Sequence, residues 1–139
     1  MGISEIRAKS NKFVSNLDAY IGAALESVAD QFVELNISQM QDSKRADDAT
    51  IIPKYSPRYA AFKGFPNPNL KLTGMFHKRM YFATDGKMFH LSSEDEKMPS
   101  LVDRYSEKIF GIAPSRQSKG QEIAQKAITT LYNREVLNG

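Results

Sequence analysis

His77 and His90 are the only imidazoles in the 139-residue chain, and there is no cysteine. Disulfides, thiolate zinc sites and cysteine nucleophiles are thereby excluded. A metal shared by the two histidines can be tested on geometry. Asp85-Gly86 between two aromatic-rich runs predicts a hairpin with a two-residue turn, flanked by Thr84 and Lys87. In that register His90 lies opposite Tyr81, four residues from His77, or about 13 Å along a strand. Ligands of one metal sit far closer. Both histidines are therefore expected on a partly exposed polar face, with no metal. Carboxylates neighbour one another at Asp47/Asp48 and in Glu94, Asp95, Glu96. Sequence neighbours point apart on regular elements, however, and general acid–base work needs a fixed pair in a pocket. The serines lack a G-x-S-x-G context, and the glycines form neither a P-loop nor a dinucleotide fingerprint. The chain reads as non-enzymatic and without cofactor.

The remaining chemistry is charge beside aromatic rings. Residues 1–42 hold three Lys/Arg against six Asp/Glu, residues 43–90 nine against three, and residues 91–139 seven against seven, giving −3, +6 and 0. In the basic middle, Lys44, Arg45, Lys54, Arg58 and Lys63 interleave with Tyr55, Tyr59, Phe62 and Phe65. Cations hold phosphates while rings stack bases, and the same residue types anchor protein interfaces. A basic surface of this kind suits nucleic acid, an acidic partner or the acidic helix of a neighbouring copy. Lys54, Tyr55, Arg58, Tyr59, Phe62, Lys63 and Phe65 are the candidate partner interface, with nucleic-acid binding by the basic central segment as the alternative.

Several elements must position these residues. Val14, Leu17, Ile21, Ala24, Leu25, Val28, Phe32 and Leu35 recur at steps of three and four, which predicts one long amphipathic helix over about 10–40 within a helical region 1–41. Some 30 residues span about 45 Å, against roughly 37 Å for the diameter of a compact domain of this length. The helix should overhang, bend near Gly22 or pack on another subunit. Residues 42–71, punctuated by Pro53, Pro57, Pro66 and Pro68, read as an extended basic loop with one short helix, PRYAAFK, capped by Ser56 and closed by Gly64. Such a length without regular structure marks a functional segment, expected to be mobile until it docks. Residues 72–93 form the hairpin, with Phe82 facing Phe89, Met80 facing Leu91 and Arg79 facing Ser92; Thr73 can cap a short turn through Arg79, so that the first strand starts at Met80. Residues 94–139 are helical. Pro99 opens a helix bearing Leu101, Val102, Tyr105 and Ile109 that Gly111 ends, and Ser118/Gln121 have capping-box spacing for a last helix to about Leu137.

The order long helix, loop, hairpin, helix, helix is a single α+β domain, with a long N-terminal helix and C-terminal helices packed on a small antiparallel sheet. Charged residues make up 25% of the chain and apolar ones 41%, close to the globular average, which excludes wholesale disorder or a fibrous repeat. No apolar run approaches a membrane span, and the first residues lack the apolar core of a signal peptide. A cytoplasmic, membrane-free protein is expected.

One further pattern runs through the chain: LKLTGMFHKRM (70–80), a DG-containing strand pair, RYSEKIFG (104–111), PSR (114–116) and a closing helix. Over roughly 54–135 this resembles the virion morphogenesis and tail-completion proteins of tailed phages, the small head-to-tail joining family. Leu72, Thr73 and Gly74 match its first motif, Tyr105, Phe110 and Gly111 its second, and Pro114 and Arg116 its proline-and-arginine turn. Met80 stands where such proteins often have serine, and Gln117 and Ser118 where an apolar residue is usual. The resemblance implies an α+β subunit of a homo-oligomeric neck ring between portal or head and tail. Its partners would be its own copies, other phage neck, portal or tail proteins and DNA passing through the lumen, and it would reside in the virion, with the host cytoplasm as its place of assembly.

Overall fold

The structure, a computed structural model, describes residues 2–71 and 74–137. The N-terminal helical region is three helices rather than one: α1 (Ile3–Ser15), α2 (Leu17–Glu26) and α3 (Ala29–Gln41). The breaks have local causes. At the first, the Ser15 hydroxyl and the Asn16 amide both donate to the Lys12 carbonyl, drawing the helix's own acceptor into side-chain bonds. At the second, the Ser27 hydroxyl donates back to the Ala24 carbonyl, and Val28 leaves helical geometry (φ −119°, ψ 21°). The expected bend at Gly22 is not there. Gly22 instead lies in mid-α2 against Asp85 and Gly86 at the tip of the hairpin, where a Cβ would be 3.4 Å from the Gly86 nitrogen. Splitting the stripe lets Phe13 on α1 stack on Tyr20 of α2 at 4.6 Å and meet Tyr132 edge-on at 5.2 Å.

The short helix of the basic segment, α4 (Pro57–Lys63), forms as its capping residues require. Ser56 Oγ accepts from the Tyr59 amide at 3.3 Å, Pro57 occupies the first turn, and Gly64 closes the helix at φ 89°. The segment around it is tied down rather than structureless. Ile51 and Leu70 are buried in the core, Lys44 bridges to Thr50, and the Tyr55 amide donates to the Pro66 carbonyl at 3.0 Å.

A four-residue helix, α5 (Met75–Lys78), precedes the hairpin of β1 (Met80–Thr84) and β2 (Phe89–Ser93). The first strand starts at Met80 as expected, but the register differs by two residues: Phe82 pairs with Leu91, Met80 with Ser93, Tyr81 with Ser92 and Ala83 with His90. The turn holds four residues because Asp85 Oδ1 accepts from the amides of Lys87 and Met88, and the Thr84 hydroxyl donates to the Met88 carbonyl. A shift of two preserves which side chains share a face, so Phe82 and Leu91 still point inward, onto Phe32 and Ile123.

Helix α6 (Met98–Tyr105) ends earlier than Gly111, because Ser106 at φ 82° reverses the chain and its hydroxyl starts a separate 3-10 turn, Glu107–Ile109. Ile109 is nonetheless fully buried. Helix α7 (Gln117–Tyr132) grows directly out of the 3-10 turn Pro114–Arg116, so Ser118 lies inside it and the expected capping box does not form. A π-type turn, Asn133–Leu137, ends the described chain and seats Val136 beside Phe13 and Leu131. The protein is α+β: helices pack around one small antiparallel hairpin, which alone would be marginal in water.

Candidate functional site

Helix α4 has no buried residue, and with its flanks it forms an exposed arm. Phe62 is 83% exposed, with Ile52 at 56% and Tyr59 and Phe65 near 36%. The arm is held at its base, where Tyr55 meets Tyr59 edge-on at 4.8 Å and approaches Phe65 at 6.2 Å. Tyr55 and Tyr59 face Leu70, Leu101, Arg104 and Tyr105 across a cleft of about 320 Å³. Burial pushes the Tyr55 phenol above its ordinary range, partly offset by a hydrogen bond from the Asn69 backbone. Tyr59 therefore helps support the arm, whereas Phe62 only projects from it.

Between Asp48 and Asp85 there is no carboxylate, while Lys54, Arg58, Lys63, Lys71, Lys78 and Arg79 fall in that interval. Among the described residues none of these six closes an ion pair. Lys63 Nζ donates to the Lys71 carbonyl at 2.9 Å and sits 5.6 Å from the Phe65 ring centre. Lys54 and Arg58 stay exposed at the start of α4. All seven expected interface residues thus belong to one arm, with Tyr55 its half-buried root and Lys63 its internal brace.

The motif residues lie elsewhere, mostly in structural roles. Leu72 and Thr73 fall outside the described residues. Gly74 starts α5 at φ 86°. Tyr105 is buried beneath the arm, and Phe110 packs on Phe76 at 5.7 Å. Gly111 adopts φ 121°, where a Cβ would come within 3.0 Å of the Ala46 side chain. Pro114 opens its 3-10 turn, and Arg116 pairs with Asp42. Among the described motif residues, Tyr105 is the one that lines the cleft beneath the arm.

His77 is buried, not partly exposed as its place on a polar face would have it. Helix α5 turns it inward, and its Nε2 donates to the Asn69 carbonyl at 3.1 Å. Burial pushes its pKa below the ordinary histidine value, the Asn69 contact opposing this in part. His90 is exposed on β2 opposite Ala83. Asp47 pairs with Arg45, which, with the Ala49 amide, holds its carboxyl well below the usual range. Asp48 accepts from both the amide and hydroxyl of Ser115, and this depresses its pKa too. Each acid of this pair is bound to its own structural partner. Among the described residues no cluster of His, Asp and Glu is arranged to hold a metal, and no helix is long and apolar enough to cross a membrane.

Compared with known protein families, curated proteins and solved structures, the chain matches none. Its own surfaces carry the functional information. The sequence pattern missed two of these. One is a groove of about 280 Å³ where Phe32, Phe82 and Phe89 face Ala124 and Gly120 of α7; the other is a shallower groove of about 440 Å³ floored by Leu35 and Ile123. Each combines residues far apart in sequence, which a one-dimensional pattern does not bring together.

Proposed function

We propose that this protein is a non-enzymatic virion structural subunit of a tailed phage, a neck or tail-completion component that assembles as a homo-oligomeric ring between portal or head and tail. The observation that carries this reading is the α4 arm. It is braced by a capped helix and an aromatic root, yet it presents Phe62 and two unpaired cations to solvent. A core that closes on Met40, Ile51, Leu70, Tyr105 and Ile109 does not need Phe62. An exposed aromatic among arginine and lysine is the composition of an interface anchor. The family resemblance supplies the setting, and the α+β fold agrees with the architecture it implies. The subunit would act by surface burial against neighbouring copies and other neck, portal or tail proteins, reaching the virion from the host cytoplasm.

Mass spectrometry and electron microscopy of purified particles test this reading. The protein is expected in stoichiometric amount at the head-to-tail junction; finding it in infected cells and never in particles overturns the assignment. The alternative, a small nucleic-acid-binding protein, is favoured by the absence of carboxylates from the arm. It requires affinity for DNA that falls steeply with salt as phosphate counterions are released.

A further inference from the structure

Charge is segregated along this chain in two complementary blocks. Residues 13–43 contain Asp18, Glu26, Asp30, Glu34 and Asp42 and no Lys or Arg, whereas residues 49–84 contain six Lys/Arg and no acid. Within the acidic block three carboxylates are engaged. Asp18 pairs with Lys87 at 3.5 Å, Asp42 pairs with Arg116, and Glu26 accepts from the Thr84 amide at 3.3 Å. Asp30 and Glu34 have neither a hydrogen bond nor an ion pair among the described residues, and both are exposed. Four residues apart on α3, they lie on one face of that helix. On the arm, Arg58 and Phe62 have the same spacing and share a face of α4.

Asp30 and Glu34 edge the groove of about 440 Å³ whose floor is Leu35 and Ile123. On their other side a cleft brings Lys71, His77 and Lys78 toward them, without any ion pair closing. The groove is therefore apolar at its base and bordered on α3 by two carboxylates that lack direct partners, while Lys119 on its α7 side is paired with Glu122 at 3.9 Å. The arm is its counterpart, an exposed ring with two cations that lack partners.

We propose that the α4 arm of one copy docks in the α3–α7 groove of the next, Phe62 seating over Leu35 and Ile123 while Arg58 and Lys54 meet Asp30 and Glu34. The occupant is a second copy of this chain, because both complementary halves are present on one subunit and neither satisfies the other within it. Such a contact is heterologous: it joins different patches, and repetition closes a ring or extends a filament. The inference rests on the ring reading and adds which surfaces form the joint.

Charge reversal tests it. Sedimentation velocity at low salt is compared for the wild type, the arm variant Lys54→Glu/Arg58→Glu, the groove variant Asp30→Lys/Glu34→Lys, and the chain carrying all four changes. All four positions are exposed, so thermal melts followed by circular dichroism should show every variant folded, with the groove variant melting somewhat lower because Asp30 lies in the first turn of α3. Expected is salt-sensitive self-association of the wild type, weakened roughly tenfold or more in either two-site variant and recovered in the four-site chain. A mixture of arm and groove variants is complementary at both joints, acidic arm on basic groove and basic arm on acidic groove, so the two should co-assemble in alternation although neither associates well alone. Wild type that associates while the groove variant associates equally well overturns the proposed joint and leaves the ring reading standing. Wild type that stays monomeric at its solubility limit also overturns the joint, and the ring reading is then decided in particles. Arm-dependent oligonucleotide binding without self-association assigns the arm to nucleic acid and overturns the inference.

Discussion

Asn36 and Gln39, three residues apart on α3, grip the same passing stretch of backbone with the nitrogen and the oxygen of both side-chain amides. Asn36 Nδ2 donates to the Ile109 carbonyl at 3.0 Å, and its Oδ1 accepts from the Gly111 amide at 3.1 Å. Gln39 Nε2 donates to the Gly111 carbonyl at 3.0 Å, and its Oε1 accepts from the Ala113 amide at 2.7 Å. Both side chains are fully buried. Residues 109–113 thus satisfy their backbone as a strand would, with a helix's side chains in place of a neighbouring strand. This explains why a segment lacking regular structure can run through the core between α6 and α7.

Replacing Asn36 with leucine of similar bulk strands one buried amide and one buried carbonyl, which should cost about 2–4 kcal/mol. Urea denaturation should show a lower midpoint with an unchanged slope. Asn36→Asp keeps the acceptor for Gly111 but sets a carboxylate against the Ile109 carbonyl. That carboxyl should have a folded pKa above its unfolded value, so the native state binds the extra proton and the variant should gain stability as pH falls. A variant equally stable at every pH would show that the 109–113 backbone simply moves away.

Gly86 and Gly22 make a paired prediction at the contact between the hairpin tip and α2. A Cβ at Gly86 would fall 1.9 Å from the Asp18 carbonyl oxygen, on a backbone at φ 93°. Gly86→Ala should destabilise by about 2–4 kcal/mol through clash and left-handed strain together. At Gly22 the added Cβ meets ordinary van der Waals contact, and alanine recovers up to about 1 kcal/mol of helix propensity. Gly22→Ala should therefore be neutral or mildly stabilising. Equal loss of melting temperature in both variants would contradict the geometry.

These contacts mark where sequence reading works and where it stops. Helix α4 was legible because Ser56, Pro57 and Gly64 act within one or two turns, and the hairpin because Asp85-Gly86 is a local signal. The two-residue register error came from Thr84 and Asp85, whose side chains widen the turn by binding Met88 and Lys87. The α1–α2–α3 breaks were hidden because an apolar stripe continues through Asn16 and Ser27 whether or not the backbone does. The Asn36–Gln39 clamp was invisible: its partners are more than 70 residues away. The arm's composition was legible, but its groove partner on α3 and α7 was not, because Leu35 and Ile123 meet only in the fold.

His77 should make stability depend on pH near neutrality. Its folded pKa is lowered by burial, so between that value and the ordinary histidine value the unfolded chain binds more protons than the native one. Stability must then be fully present above the unfolded pKa and decline as pH falls through this window. His77→Gln, which retains a donor for the Asn69 carbonyl, should flatten this part of the profile in denaturant titrations at successive pH values. The carboxylates with depressed pKa, Asp47, Asp48 and Asp85, act in a separate, more acidic window, and their loss of stability on acidification should survive the substitution.

Phe62 and Tyr59 separate the arm's support from its use. Phe62, 83% exposed, touches Tyr59 at a ring distance of 6.2 Å and belongs to no buried cluster. Truncating it should change unfolding free energy by no more than about 0.5 kcal/mol, the usual range for surface positions. Tyr59 packs edge-on against Tyr55 and lines the cleft above Tyr105, so Tyr59→Ala should cost roughly 1–2 kcal/mol through lost ring contact and apolar burial. In the proposed assembly the order reverses, because Phe62 is the anchor and its loss removes the apolar contact that the neighbouring copy receives. Phe62→Ala should therefore leave the melt of the isolated subunit unchanged while blocking particle completion in a complementation assay. Tyr59→Ala should lower the melt and impair completion only as far as the arm loosens. Protease digestion adds a structural readout: cleavage near α4 should accelerate in Tyr59→Ala and not in Phe62→Ala. If Phe62→Ala supports full particle yield, the arm is not the anchor and its exposed ring has another purpose. If it unfolds the subunit, the ring is part of the core.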